Sequence, residues 1–423
     1  MAINYSVFEH KLGNKTRVRL LLLEGVPVYW PSLFVVETMR ARSVNTQQSF
    51  LSNLLAFFKW LEIKQIDLES RLSERPSSKY LTENELMDFM NHAHWTKSTL
   101  DNLANDISMH PTAFRQIGAA QAESRINSIK RYLSYLYENL GDERSKFAQI
   151  DRMKKRLNLG VREIKPAWKK RKNITNGLSQ NQVDIILCRL HFNSADNPWP
   201  KSEAIRVRNY MIFFLLFELG IRRSELLGIK LEDINWRANQ LQIIRRHNDP
   251  DDQRKVEPLV KTNERILPVP DHLMTLILLY KENFRISKTS KKHPYLLVSH
   301  GRGDGSPLSI KALDQIFVRI RTIIPELKGV TPHSFRHHDV YKTIQAIERS
   351  TEGKPVEERM ERERRILLSK YGWSDSSKMP DLYGQRYYQE EADDAIRKRS
   401  KELADGSIRE SRKSKNNTNK TNG

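Results

Sequence analysis

The sequence predicts a mainly α protein with a small antiparallel β-sheet, an α+β fold made of a helical N-terminal domain and a larger second domain. Three observations lead there. Apolar residues recur at helical spacing through the first third of the chain, a basic stretch containing Pro166 interrupts that pattern, and beyond Leu231 the period changes locally from that of a helix to that of a strand. The expected boundaries are 1–161 for the helical domain, 162–177 for a basic linker, 178–399 for the second domain and 400–423 for a basic, disordered tail.

In the first domain, Ser49–Ile63 gathers Phe50, Leu51, Leu54, Leu55, Phe57, Phe58 and Leu61 on one face, and Arg125–Leu140 does the same with Ile126, Ile129, Tyr132, Leu133, Tyr135 and Leu136. Thr82 and Glu85 have the spacing of a capping box ahead of Leu86, Met87, Phe89 and Met90, so a third helix starts there. The first domain therefore reads as all-helical. The second opens on another capping box, Ser179 with Gln182, followed by an apolar helix over Val207–Leu219 that Gly220 terminates. Ser224–Leu227 begins a further helical run towards Leu231. Gln240–Arg245, Val256–Lys261 and Arg265–Val269 then read as three short strands, with Asn248 to Asp252 a turn-rich insertion between them. Helices resume near Pro307 and continue with breaks to Arg399, the charged segment Thr351–Arg365 reading as an exposed helix.

Across the 423 residues, Lys and Arg total 72 against 51 Asp and Glu, a formal charge of +21, which points to a polyanionic partner, nucleic acid before others. The longest apolar stretch, Tyr210–Phe217, is far shorter than the roughly 18 to 20 residues a bilayer crossing needs, and the N-terminus has no pattern of a secretory signal. An intracellular protein, cytoplasmic and nucleoid-associated, is expected. A single cysteine, Cys188, closes no intrachain disulfide, and its place among Val183, Ile185, Ile186 and Leu187 reads as a buried, inert thiol. In the linker, Lys165, Lys169, Lys170, Arg171 and Lys172 are candidate phosphate contacts, although a solvated loop has the same composition.

Three local patterns in the second domain carry chemistry. In Gly220-Ile221-Arg222-Arg223-Ser224-Glu225, an arginine follows a helix-ending glycine at a chain reversal, where its forked donors can be aimed at an anion; alone, the same arginine is a surface residue with Glu225 as its salt-bridge partner. In His333-Ser334-Phe335-Arg336-His337-His338, a helix starting at Thr331-Pro332 puts His333 and Arg336 on one face, able to address one anion together; the spacing does not suit a metal site. The third pattern runs from Gly372-Trp373 to Tyr383-Gly384, a polar, turn-bearing stretch in which core burial alone does not account for the tyrosine.

In this order, the set resembles the tyrosine recombinase (phage integrase) family over Leu178–Arg399. The resemblance implies a tyrosine-recombinase-like catalytic domain behind a helical DNA-binding domain, with Arg222 as the first arginine, His333 and Arg336 as the His-x-x-Arg box, Trp373 where the family has histidine or tryptophan, and Tyr383 as nucleophile. The family's lysine lies in a hairpin between the second and third strands, the context of Lys261, with Lys255 the less favoured substitute. Trp373 and Tyr383 are ten residues apart, one more than the commonest family spacing, so Tyr387 and Tyr388 stay open as fallback nucleophiles. Arg223 abuts Arg222 and competes for its role. The resemblance also implies double-stranded DNA as partner, a homo-tetramer on paired DNA sites with accessory DNA-bending proteins in attendance, and no metal or other cofactor.

The residue types suit phosphoryl transfer in their own right. A phosphodiester gains negative charge in its pentacoordinate transition state, which Arg222 and Arg336 can stabilise. A phenol with pKa about 10 is only about 0.1% ionised at neutral pH, so Tyr383 needs positive charge or a base, for which His333 is the candidate. Lys261 would protonate the leaving 5′ oxygen, and a covalent 3′-phosphotyrosyl product would conserve the bond energy for rejoining without ATP. Two other readings of the same residues are a relaxing enzyme resembling type IB topoisomerases and a non-catalytic DNA-binding protein that keeps the fold.

Overall fold

The computed structural model describes residues 5–11, 17–74, 78–104, 114–164, 177–246, 249, 251–254, 256–301, 305–382, 388–389 and 392–403. They fall into two compact units, Met1–Lys172 and Asn173–Gly423. The fold is mainly α with two small antiparallel sheets. No helix among the described residues is long and apolar enough to cross a membrane.

The first unit runs β1 (Tyr5–Lys11), β2 (Arg17–Leu23), β3 (Val26–Pro27), α1 (Tyr29–Thr38), α2 (Val44–Ile63), α3 (Leu68–Ser73), α4 (Glu83–His92), α5 (Lys97–Ala104), α6 (Ala119–Leu140) and α7 (Lys146–Ile164). Ser43 caps α2 by accepting from the Thr46 backbone N–H, and Thr82 and Glu85 close the capping box of α4. The apolar faces of α2 and α6 meet in a core centred on Phe57, Trp60, Ile129 and Leu133. The expectation of an all-helical domain fails at the N-terminus, where β1, β2 and β3 form an antiparallel sheet in that order. Along β1 each side chain alternates between partly buried and exposed, and Val18 and Leu21 of β2 sink into the core. The period-2 pattern of residues 5–10 is that of a strand with one face against the protein, and β2 pairs with it in antiparallel register.

The second unit runs α8 (Gln180–Cys188), α9 (Glu203–Leu219), α10 (Arg223–Gly228), β4 (Ile234–Asn235), β5 (Gln240–Ile243), β6 (Arg265–Pro268), α11 (Asp271–Asn283), α12 (Ile310–Ile323), α13 (Pro332–Ser350) and α14 (Val356–Tyr371), with a last helical run at 392–403 that extends past the expected start of the tail at 400. The capping box of Ser179 and Gln182 opens α8, and α9 is the central element, packed on α11 and α13 with Met211, Ile212, Phe213 and Leu216 fully buried. The second sheet has the order β4-β5-β6. Val256–Lys261 is therefore not a strand. Pro258 has no backbone N–H to give a ladder, Val256 is exposed, and Glu257 to Val260 are buried in succession rather than alternately. The third strand is Ile234–Asn235, turned back onto β5 by Asn239, whose φ of 48° is left-handed. Cys188 is exposed rather than buried: the apolar stripe of α8 runs through Val183, Ile186 and Leu190, and the thiol falls off it. The linker candidates Lys165, Lys169, Lys170, Arg171 and Lys172 lie outside the described residues.

Candidate active site

The site is built where α9 ends. Gly220 closes α9 with φ 55°, a left-handed conformation, and a Cβ there would collide with the Asp339 carboxylate, so glycine is required on both counts. The reversal delivers Arg222 to the N-cap of α10, where its backbone N–H donates to Glu225 Oε2 at 2.9 Å. Its guanidinium, 23% exposed, reaches Glu225 Oε1 at 3.5 Å. Arg223 points elsewhere and forms an ion pair with Asp314 of α12 at 2.7 Å. Of the two adjacent arginines, Arg222 is the one beside Glu225.

Glu225 is the hub of the site. It is 2% exposed and accepts hydrogen bonds from the Thr262 hydroxyl at 2.6 Å and from Arg265 Nη2 at 2.8 Å, with Arg336 Nη1 3.9 Å away. Burial alone would raise its pKa, but the charge and hydrogen bond of Arg265, the charge of Arg336 and the Thr262 hydroxyl hold it down at about 2. Thr262 follows Lys261 within the β5–β6 connection and Arg265 opens β6, so Glu225 ties the lysine's segment to the arginine turn. Lys261 itself is exposed, between buried Val260 and buried Thr262. Lys255 lies outside the described residues.

Arg336 comes from α13, whose start at Pro332 leaves Thr331 as N-cap. Its guanidinium is fully buried, donating to the Gly220 carbonyl at 2.8 Å and the Tyr371 carbonyl at 3.1 Å, and lying 4.7 Å from the Tyr371 ring centre and 5.3 Å from that of Trp373. His333 is exposed one turn earlier, its ring edge-on to His337 at 5.1 Å. Partial desolvation and the positive charges of Arg336 and Arg222 lower the His333 pKa, which favours the neutral ring.

Trp373 arrives through a second left-handed glycine. Gly372, φ 63°, ends α14; its carbonyl accepts from the Asn263 backbone N–H at 2.8 Å, and a Cβ on it would stand 2.6 Å from the Asn263 carbonyl oxygen. The β5–β6 connection is thereby docked on the end of α14. Tyr371, also fully buried, donates its hydroxyl to Asp339 Oδ2 at 2.6 Å, which fixes the ring against Arg336. Arg222, His333, Arg336, Trp373 and the segment of Lys261 are therefore brought together. Tyr383 and Tyr387 lie outside the described residues. Tyr388 is held by Glu363 of α14, to which it donates at 2.7 Å, and burial together with that carboxylate raises its pKa, the opposite of what a nucleophile needs.

Reading the sequence missed Glu225 as a hub, as well as Thr262, Arg265 and the Tyr371–Asp339 pair. Thr262 and Arg265 sit one and four residues beyond Lys261, a signal that was available; nothing local to Asp339 or Tyr371 marks them.

Residues 178–345 match the phage integrase family, and the matched segment contains Arg222, Lys261, His333 and Arg336. The matched segment covers less than half of the chain. Integrase relatives include the tyrosine recombinase XerA of Pyrococcus furiosus, 30% identical over 134 residues that cover 31% of this chain and 39% of XerA. Tyrosine recombinase XerD of Halalkalibacterium halodurans is 27% identical over 168 residues, 39% of this chain and 47% of that protein. The chain thus spans less than half the length of the curated relatives it matches. Among solved structures, the Tn1549 transposon integrase in complex with transposon right end DNA is 12% identical, with a TM-score of 0.46 over 86% of this chain and all of that one.

Proposed function

We propose that this protein is an integrase-family, site-specific DNA recombinase that cuts and rejoins DNA through a 3′-phosphotyrosyl intermediate on Tyr383. The observation that carries the reading is the cluster around Glu225: Arg222, Arg265 and Arg336 converge on one carboxylate, leaving an excess of positive charge beside the partly exposed Arg222. A phosphate is the complement of such a site.

In this mechanism Arg222, the partly exposed guanidinium, contacts the non-bridging oxygens of the scissile phosphate. Arg336, shared between two carbonyls in the interior, supplies charge from behind and orients the turn. Neutral His333 accepts the Tyr383 proton as the phenolic oxygen bonds to phosphorus; the bond to the 5′ oxygen breaks and Lys261 protonates that oxygen. Trp373 closes the apolar side of the site. Rejoining is the reverse, with a different 5′ hydroxyl attacking the phosphotyrosine. On this reading 178–399 is the catalytic domain, 1–161 and the linker lysines grip duplex DNA, and a homo-tetramer acts on paired sites in the cytoplasm.

The test is covalent capture on a nicked suicide duplex carrying the cognate site. Wild-type protein should form an SDS-resistant adduct, Tyr388→Phe should keep it, and Tyr383→Phe should lose it while still shifting DNA in a gel. An adduct that survives Tyr383→Phe would overturn the assignment. Relaxation of supercoils by a monomer on any sequence would point to the topoisomerase-like reading.

A further inference from the structure

Three consecutive carbonyls at the end of α14 are occupied by residues of the candidate site. The Lys370 carbonyl accepts from Arg265 Nε at 2.8 Å, the Tyr371 carbonyl from Arg336 Nη2 at 3.1 Å, and the Gly372 carbonyl from the Asn263 backbone N–H at 2.8 Å. The last carbonyls of a helix have no partner within it and form the negative end of its dipole, so two guanidiniums and a backbone donor suit them. Wherever this helix end lies, Arg265, Arg336 and the segment of Lys261 go with it.

A ring of hydrogen bonds fixes that end on α13. Asp339 and Thr343 follow Arg336 by three and seven residues and so share its face of the helix. Lys370 Nζ donates to Asp339 Oδ1 at 2.8 Å and to Thr343 Oγ1 at 2.9 Å. Tyr371 gives its one proton to Asp339 Oδ2 at 2.6 Å, so at the 3.0 Å contact between the two hydroxyls Thr343 is the donor and Tyr371 the acceptor. Burial and the Asp339 charge push the Tyr371 phenol well above its ordinary pKa, which keeps that proton in place. The four side chains close a cycle, and the Arg336 guanidinium lies over the Tyr371 ring that the cycle holds.

We infer that Lys370 is a positioning residue of the reaction: by closing this ring it holds the end of α14, and through its carbonyls Arg336, Arg265 and the Lys261 segment, in the arrangement the scissile phosphate requires. The inference rests on the recombinase reading and deepens it, since Lys370 acts only through its neighbours. Its side chain is 29% exposed against 9% for Asp339, so the ring can be opened at Lys370 without emptying the core.

Lys370→Met removes the charge and both donors, and Lys370→Arg restores them. At saturating nicked suicide duplex, Lys370→Met should form adduct at least about tenfold more slowly than wild type, as small displacements of reacting groups do. The DNA concentration at half-saturation should stay within about twofold, and Lys370→Arg should recover most of the rate. A contact that served the fold alone would lower the melting temperature and leave the rate of the folded protein as it was. Without DNA, hydrogen exchange at the Asn263 amide should quicken in Lys370→Met and not in Lys370→Arg, because its acceptor is the Gly372 carbonyl. A wild-type adduct rate in Lys370→Met, a loss that Lys370→Arg does not recover, or unchanged exchange at Asn263 would overturn the inference. Absence of any adduct from the wild type would instead sink the recombinase reading, and exchange at Asn263 would then still decide whether Lys370 holds the lysine segment.

Discussion

The second unit buries two charge clusters of different composition. Around Glu225, three guanidiniums share one carboxylate. Around Asp249, every cation has its own carboxylate partner: Lys230 Nζ donates to Asp249 and Asp251, Arg246 grips Asp233 with two bonds, Arg254 grips Asp252, and Tyr295 donates to Asp249 at 2.9 Å. The matched cluster anchors the first half of the β5–β6 connection, with Arg254 also donating to the Leu227 and Leu308 carbonyls. Removing charges from water costs several kcal/mol per ion unless partners replace the water. A matched cluster meets that cost by itself. The cluster around Glu225 keeps a surplus of positive charge, which the proposed contact with an anionic substrate would offset.

The largest effect should come from removing the hub. Glu225→Gln would leave three guanidiniums facing one another, and loss of one member of a buried pair typically costs about 3 to 5 kcal/mol. Chemical denaturation at pH 7 measures it. The pH dependence has a definite sign. Because the folded-state pKa of about 2 lies below the usual carboxylate value, Glu225 contributes stability that is fully present above the unfolded pKa of about 4.3 and disappears as pH falls through about 2. Over that window the wild-type protein should lose stability and the variant should lose less. Equal acid sensitivity of the two would mean that Glu225 is not the hub.

The matched cluster should behave differently. Lys230→Met strands Asp249 and should cost roughly 3 kcal/mol, towards the lower end of the range because Arg246 and Tyr295 remain beside the carboxylate. Adding Asp249→Asn removes the stranded charge and should restore much of the loss, which a double-mutant cycle reads. Covalent capture on suicide DNA should follow stability in this series, whereas no second substitution near Glu225 should restore capture to Glu225→Gln.

Trp373→Phe comes next, at about 1 kcal/mol, since a smaller ring keeps part of the face that Trp373 offers to Arg336 at 5.3 Å. Thermal melting gives the stability, and the rate of adduct formation should fall more than the stability change explains, because the ring sets where the buried guanidinium lies.

How much of this was legible in the sequence follows from the range over which each feature is determined. Capping boxes at Thr82 and Ser179 and the glycine stop at Gly220 act within a few residues, and each is where the spacing places it. Gly220 also needs its conformation for a distant reason, the approach of Asp339, which nothing near residue 220 reveals. Val256–Lys261 reads as a strand because Val256, Leu259 and Val260 are apolar, yet Glu257 is turned inward to accept the Asp249 backbone N–H and Pro258 has no N–H for a ladder. The N-terminal sheet was overlooked although its alternation is present, because a short hairpin gives a weak signal beside long amphipathic helices. The roles of Thr262, Arg265 and Tyr371 depend on contacts with partners far along the chain, beyond what local spacing can show.

The smallest predicted effect on stability is also the one that best isolates function. Arg223 and Arg222 are neighbours of the same type, but Arg223 is half exposed in a surface ion pair with Asp314, and such pairs contribute no more than about 1 kcal/mol. Arg223→Ala should therefore leave the melting temperature nearly unchanged, and covalent capture as well. Arg222→Ala removes a contact to Glu225 that is already long, at 3.5 Å, so its stability loss should also be slight, while capture should be abolished. Two substitutions one residue apart, alike in stability and opposite in capture, separate a guanidinium placed for an anionic substrate from one placed for a surface contact. Equal loss of capture in both would show that the turn as a whole, and not the side chain at 222, is what the site requires.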